Sequence, residues 1–146
     1  MKRMLIILPL FLLLVSCSPS IMSGSTPSQP TTLSVTRINL IPANKLAPFQ
    51  ETVKDATMVQ QLYTTALSLP PASSAKMAGC LDDLGSRYLL VFQPSTFPSS
   101  HMKLNPGGCL HLSIAGKKTD VRQMNQAFLS LFEKTIKVTW LDNPSL

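Results

Sequence analysis

The sequence predicts an α+β domain in which a small antiparallel sheet of about four strands carries two amphipathic helices packed on one face. Three observations favour this class. Two stretches repeat apolar residues at helical spacing, one stretch near the middle is almost continuously apolar, and a turn-forming segment at residues 105–108 separates two strand-like segments. The expected order along the chain is β-α-β-β-β-α, which is typical of helices gathered on one side of an antiparallel sheet.

The first half of the domain is expected to contain one strand and one helix. A β-branched, partly alternating run that starts at Leu33 predicts the strand, and a short extended piece follows at residues 49–53. Asp55 is the expected N-cap of the helix, and Pro70 ends it. One apolar face is predicted from residues that recur every three or four positions: Val59, Leu62, Tyr63, Ala66 and Leu67. A Tyr63 hydroxyl in a binding site is the alternative, but this spacing favours a core position.

The second half is expected to add three strands and a helix. Residues 87–92 form the strongest strand of the sequence, and their apolar character predicts a central strand that is covered on both faces or at least heavily buried. Residues 101–104 and 109–114 should pair around the turn at 105–108, with Leu110, Leu112 and Ile114 alternating toward the core. Asp120 and Gln123 stand in capping-box relation, so the last helix is expected to begin there. Its apolar face is predicted to contain Val121, Met124, Phe128, Leu131, Phe132 and Ile136, with Trp140 covering its end.

The N-terminus has the three parts of a secretory signal: basic Lys2 and Arg3, an apolar run at residues 4–15, and small Ser16. The run is shorter than the roughly 20 residues that a membrane-spanning helix needs. The stretch Leu14-Val15-Ser16-Cys17 resembles the lipobox of bacterial lipoproteins at all four positions. The resemblance implies that Cys17 becomes an acylated new N-terminus, carrying diacylglyceryl and palmitate-type chains. An ordinary secretory signal with an incidental cysteine, or an uncleaved anchor, is the alternative.

This interpretation divides the chain into a signal peptide at 1–16, a Ser/Thr/Pro-rich tether at 17–32, one globular domain at 33–142 and a tail at 143–146. A flexible tether of this length spans on the order of 20 Å. Ser18 stands where the Gram-negative lipoprotein system has an aspartate as an inner-membrane retention signal. The expected location is therefore the cell membrane or the outer membrane, lipid-anchored and facing the extracytoplasmic side. The formal net charge is +6 and falls to +4 when Lys2 and Arg3 leave with the signal.

Cysteine usage agrees with an exported protein. If lipid occupies Cys17, then Cys80 and Cys109 remain as a pair in an oxidising compartment, and we expect them to form a disulfide. A redox or metal pair is the alternative, but the two residues lack the C-x-x-C spacing that such pairs favour.

The domain carries a second resemblance, over residues 52–132. The chain resembles uncharacterised exported proteins and lipoproteins of Chloroflexi and Actinobacteria in five stretches: Thr52-Val53-Lys54-Asp55, Val59-Gln60-Gln61-Leu62-Tyr63, Leu69-Pro70-Pro71, Cys80 with Asp82 or Asp83 and Gly85 before Tyr88, and Gly108-Cys109. Those proteins often have Cys-Pro where this chain has Cys80-Leu81. The resemblance implies no activity.

Motifs for catalysis are missing from the sequence, so we expect no catalytic, cofactor-binding or metal-ligating residues. The sequence has no G-x-S-x-G elbow and no phosphate-binding glycine loop, and its aromatics and basic residues do not form a nucleic-acid stripe. His101, His111, Asp82 and Asp83 are the residues that a metal-dependent or hydrolytic enzyme would use, which is the first alternative. A structural envelope spacer is the second alternative. The favoured hypothesis is a non-catalytic module that is held at the membrane through Cys17 and binds an envelope protein or a small ligand.

Overall fold

The fold is that of a computed structural model, which describes residues 29–39, 48–73, 86–94, 98–107, 109–116 and 120–138. These ranges contain six strands and two α-helices. The strands are β1 (Thr32–Asn39), β2 (Gln50–Val53), β3 (Ser86–Gln93), β4 (His101–Asn105), β5 (His111–Ile114) and β6 (Asp120–Gln123), and the helices are α1 (Ala56–Ser68) and α2 (Gln126–Ile136). A short 3-10 turn, Pro98–Ser100, precedes β4.

The strands form one antiparallel sheet in the order β2-β1-β3-β4-β5-β6. Every residue of β1 pairs with one of β3, from Thr32 opposite Gln93 to Asn39 opposite Ser86. Each of the other strand pairings is short and consists of four residue pairs. The α+β class and the antiparallel sheet are therefore confirmed, and β3 is an interior strand as expected.

The core lies between one face of this sheet and the two helices. Alternate residues of β1, β3, β4 and β5 are buried, because successive side chains of a strand point to opposite faces. The buried strand residues join the buried helix residues in a single apolar cluster that includes Leu33, Val35, Leu62, Tyr88, Leu90, Phe92, Leu104, Leu112, Phe128 and Phe132. At roughly 1.5–3 kcal/mol for each large apolar side chain, this burial is the main stabilising contribution to the fold.

Tyr88 is the polar member of this cluster. Its ring contacts Phe132 edge to face at 5.5 Å between centroids and Phe49 at 6.3 Å. Burial raises the pKa of the Tyr88 hydroxyl, and a hydrogen bond and charge interaction with Arg37 partly offset that rise. Arg37 in turn lies over the Phe49 ring, 5.9 Å from its centroid.

The prediction of about four strands in the order β-α-β-β-β-α is wrong, since the sheet has six strands in the order β-β-α-β-β-β-β-α. The added strand β2 is the piece that the sequence marked only as extended. The sequence pattern does not indicate a strand here, because QETV has a single large apolar residue and three of its four residues are exposed. At an edge of a sheet, backbone pairing with β1 is enough to form a strand without such a pattern.

The second added strand, β6, replaces the predicted start of the last helix. Asp120 and Gln123 do not form a capping box, since both belong to β6. Helix α2 begins at Gln126 instead, and its N-cap is Asn125, whose side chain accepts a hydrogen bond from Phe128 N at 2.9 Å. Val121 consequently belongs to the sheet and not to the apolar face of the helix.

The boundaries of the first helix were predicted correctly. Asp55 caps α1 by accepting a hydrogen bond from Met58 N at 3.1 Å, and the helix ends before Pro70. The predicted strand at 109–114 begins two residues late, at His111, because Leu110 has a positive φ of 47° and belongs to the turn. Leu112 and Ile114 face the core as expected, whereas Leu110 packs against it from that turn.

Arg122 joins β6 to the end of α1. Its guanidinium forms two hydrogen bonds with the Asp120 carboxylate, at 2.8 and 2.6 Å, which raise the pKa of Arg122. A further nitrogen, Nη1, donates to the Leu69 carbonyl at 2.8 Å. The segment at 70–72 then lies along the outer edge of β6, where Gln123 N donates to Pro70 O and Ala72 N donates to Val121 O, both at 2.8 Å.

Several predictions fall on residues that lie outside the described ranges: the signal with its lipobox, most of the tether, Cys80, Asp82, Asp83 and Trp140. Pro30 is buried, and Thr31 N donates to Gln93 O at 2.9 Å, so the last residues of the predicted tether already contact the sheet. No helix within the described part of the chain is long and apolar enough to cross a membrane.

Candidate functional site

The sheet face opposite the helices is the candidate site. We call it the open face and define it by Thr36, Leu89, Val91, His101, Lys103 and Ser113. No helix of the described ranges packs on it, since the buried residues of α1 and α2 join the core on the other side. Its middle row runs across the sheet: Thr36 pairs with Leu89, Leu89 with Lys103, and Lys103 with Ser113.

A shallow depression of about 240 Å³ lies on the open face over β3, β4 and β5. Leu89 and Ala115 contribute apolar surface to its lining, and His101, Lys103 and Ser113 contribute polar groups. The Lys103 ammonium and the Ser113 hydroxyl are hydrogen-bond donors, so the lining of the depression combines apolar surface with donors. Binding sites for small groups typically have this combination.

The ring of His101 is held in place by its neighbour. Its Nδ1 lies 2.9 Å from the Ser100 hydroxyl, which itself is 1% exposed. A buried hydroxyl of this kind is out of reach of a substrate, so the contact orients the imidazole and does not form a nucleophilic pair. Nε2 of His101 remains as the second ring nitrogen of an exposed side chain on β4.

Charge is distributed unequally between the two sides of the sheet. The four acidic residues of the described ranges are Glu51, Asp55, Asp120 and Glu133. None of them belongs to the open face. Glu51 pairs with Val35 and Asp120 pairs with Ile114, so both lie on the side of the sheet that faces the core. Asp55 lies at the start of α1 and Glu133 lies in α2. Lys103 is exposed near the middle of the open face. The described charge on this face is therefore positive.

The two histidines that could have held a metal are far apart on the sheet. His111 pairs with Asn105, whereas His101 lies at the other end of β4. Four residues along a strand correspond to roughly 13 Å, and two ligands of one ion must both lie within about 2.1 Å of it. No group of three or more metal-binding side chains exists among the described residues, a range that excludes Asp82 and Asp83.

Tyr63 uses its hydroxyl within the fold. The hydroxyl lies 2.6 Å from the Ser99 hydroxyl, and the ring packs edge to face on Phe92 with centroids 5.0 Å apart. Tyr63 is partly buried against the core, in agreement with the expected core position. The contact ties α1 to the turn Pro98–Ser100, which directly precedes His101 on the open face.

Cys109 is disulfide-bonded. Its partner lies outside the described ranges, so the pairing with Cys80 stays a prediction. The residues of the depression other than His101 were not recognised from the sequence. The alternation of polar and apolar residues in β4 and β5 was a usable signal, but it does not give the register that places Lys103 beside Ser113 and Leu89.

Comparisons of the chain with protein-family models, with curated proteins and with solved structures found no match. A role for the open face therefore has to be inferred from its own residues.

Proposed function

We propose that this protein is a lipid-anchored extracytoplasmic lipoprotein whose single domain is a non-catalytic binding module, with the open face as its binding surface. The lipobox at Leu14-Val15-Ser16-Cys17 and the tether after it support the anchor. Lipid on Cys17 would hold the domain at the cell membrane or outer membrane. A disulfide between Cys80 and Cys109 would stabilise the domain there.

The positive charge of the open face is the observation that carries the binding proposal. An exposed lysine stands beside half-buried apolar residues and hydroxyl groups on a sheet face that lacks a described acid. Protein interfaces combine an apolar centre with polar groups and complementary charge. We therefore infer that the partner is the acidic surface of an envelope protein, which places a carboxylate at Lys103 and small apolar groups against Leu89.

The binding proposal is tested with full-length protein isolated from bacterial membranes and placed in phosphatidylcholine nanodiscs. The probe is a fluorescent peptide that alternates glutamate and alanine, and fluorescence anisotropy gives its dissociation constant. Lys103→Gln should weaken binding about two- to fivefold, the effect of one exposed ion pair. Gln126→Glu lowers the net charge by the same one unit on exposed helix surface, away from the open face, and should leave the constant unchanged.

Two results would overturn the binding proposal. One is a wild-type protein that does not bind the peptide, which would favour the structural spacer. The other is an equal loss in the two variants, because long-range attraction depends on net charge and not on the position of the lysine.

The anchor is tested separately by the intact mass of protein from the membrane fraction, with and without reduction and alkylation. The expected mass lacks residues 1–16, is raised by acyl chains, and gains two alkylated thiols only after reduction. An unlipidated mass would refute the anchor, and alkylation without reduction would refute the disulfide.

A further inference from the structure

A second cleft, of about 350 Å³, lies where β2, the start of α1 and the end of α2 meet. Three lysines from separate segments line it: Lys54 between β2 and α1, Lys134 in the last turn of α2, and Lys137 at its C-cap. Glu51 and Asp55 also line it. Asp55 is engaged as the N-cap of α1, and none of the three lysines forms an ion pair with a described residue.

This cleft lies at the end of the domain where the tether enters. Leu33 is opposite Val53 in the sheet, so their Cα atoms are about 5 Å apart, and Lys54 follows Val53 directly. The predicted tether joins the domain at this point, because Pro30 and Thr31 already contact the sheet and β1 begins at Thr32. The lysines and the anchor would thus share one end of the molecule.

We propose that Lys54, Lys134 and Lys137 rest on the anionic headgroups of the membrane that holds the anchor. This inference rests on the proposed lipid anchor and adds an orientation to it. A flexible tether of the predicted length would span on the order of 20 Å, so lysines beside its attachment point would reach the surface layer of about 10 Å in which anionic lipids attract cations.

The orientation has a direct consequence for the open face. β1 runs from the tether end toward the opposite end of the sheet, so contact at the tether end stands the sheet upright on the bilayer. The open face would then point sideways, along the membrane, where it is accessible to a neighbouring envelope protein.

Full-length protein is reconstituted into vesicles of phosphatidylcholine alone and of phosphatidylcholine with phosphatidylglycerol. Hydrogen exchange of the backbone amides at 134–138 reports contact, and we expect slower exchange only with phosphatidylglycerol. Lys134→Gln should lower the ratio of contacting to non-contacting domains about fivefold, the contribution of one lysine near an anionic surface. Glu51→Gln should raise the same ratio, because it removes the acid of the cleft that no described group engages.

Lys103→Gln is the matched control, since it removes one charge from the open face and should leave the exchange unchanged. Retention of the protein on phosphatidylcholine vesicles tests the lipid anchor independently of the lysine contact, because these vesicles carry no net charge. Loss of that retention would refute the anchor. Retention without phosphatidylglycerol-dependent protection, or equal effects of Lys103→Gln and Lys134→Gln, would refute the lysine contact alone.

Discussion

Replacing Arg122 by alanine is the sharpest test of how the helical layer is attached to the sheet. Arg122 on the edge strand β6 forms a two-pronged ion pair with Asp120 and donates to the carbonyl of Leu69 at the end of α1. Arg122→Ala removes these three hydrogen bonds together with a longer one, from Nη1 to the Leu67 carbonyl at 3.5 Å. It leaves the backbone bonds between β6 and residues 70–72 in place.

The expected cost follows from the exposure of the groups. The side chains are 25% exposed for Arg122 and 41% for Asp120, so the ion pair contributes no more than about 1 kcal/mol. The charge-assisted bond to Leu69 contributes about 1 kcal/mol once its exposure to water is allowed for. The free energy of unfolding should fall by about 1.5–2 kcal/mol, which lowers Tm by about 8 °C in a domain of this size.

Thermal unfolding of the full-length protein, followed by far-ultraviolet circular dichroism, measures this change. Asp120→Asn removes the charge of the pair but keeps the bond to Leu69, so it should cost only about half as much. Lys103→Ala is the control for an exposed strand cation and should shift stability by less than about 0.5 kcal/mol. If Arg122→Ala costs no more than Asp120→Asn, the bond to the end of α1 does not stabilise the fold as argued.

Two further predictions concern Tyr88 and Lys137. Burial raises the pKa of Tyr88, whereas an unfolded tyrosine ionises near pH 10, so its contribution to stability should be complete below about pH 10 and be lost as pH rises through the folded pKa. Tyr88→Phe should flatten that alkaline decline in urea unfolding at successive pH values, and an unchanged decline would contradict the assignment. Lys137 ends α2 with φ of 56°, so Lys137→Gly should raise the free energy of unfolding by about 0.5–1 kcal/mol. A lower urea midpoint in this variant would show that the side chain matters more than the backbone strain.

The sequence predicted best those elements whose pattern depends on local contacts or deep burial. Helix α1 combines an unambiguous cap, an apolar face and a terminating proline. All three were found, except that Leu67 of the predicted apolar face is 37% exposed. β3 has the near-continuous apolar sequence that is typical of an interior strand, and it pairs on both sides. The predicted start of α2 was wrong, because the sequence has two possible N-cap residues within six positions. Asp120 and Gln123 have the spacing of a capping box. However, pairing of residues 120–123 with β5 gives these residues more backbone hydrogen bonds than the first turn of a helix would.

The candidate site was largely beyond sequence reasoning. His101 and His111 lie ten positions apart in the sequence, and only the pairing of His111 with Asn105 shows that they occupy different ends of β4 and β5. That no acid of the described ranges lies on the open face likewise depends on strand parity, which a shift of one residue in register would invert. Lys103 stands out only after that register is known.

The segment that crosses the outer edge of β6 bears on how many copies of the protein could share one membrane under the proposed lipid anchor. Anchored domains are confined to a layer and meet far more often than they would in free solution, so an uncovered strand edge invites chain-to-chain pairing and aggregation. The backbone of residues 70–72 already forms hydrogen bonds with two backbone groups of β6, and the prolines at 70 and 71 have no N–H to donate to a strand of another copy. Within the described ranges, the opposite edge is the four-residue β2, whose exposed Glu51 would face the Glu51 of a second copy paired symmetrically around it. Crowding on the membrane should therefore leave the domains separate.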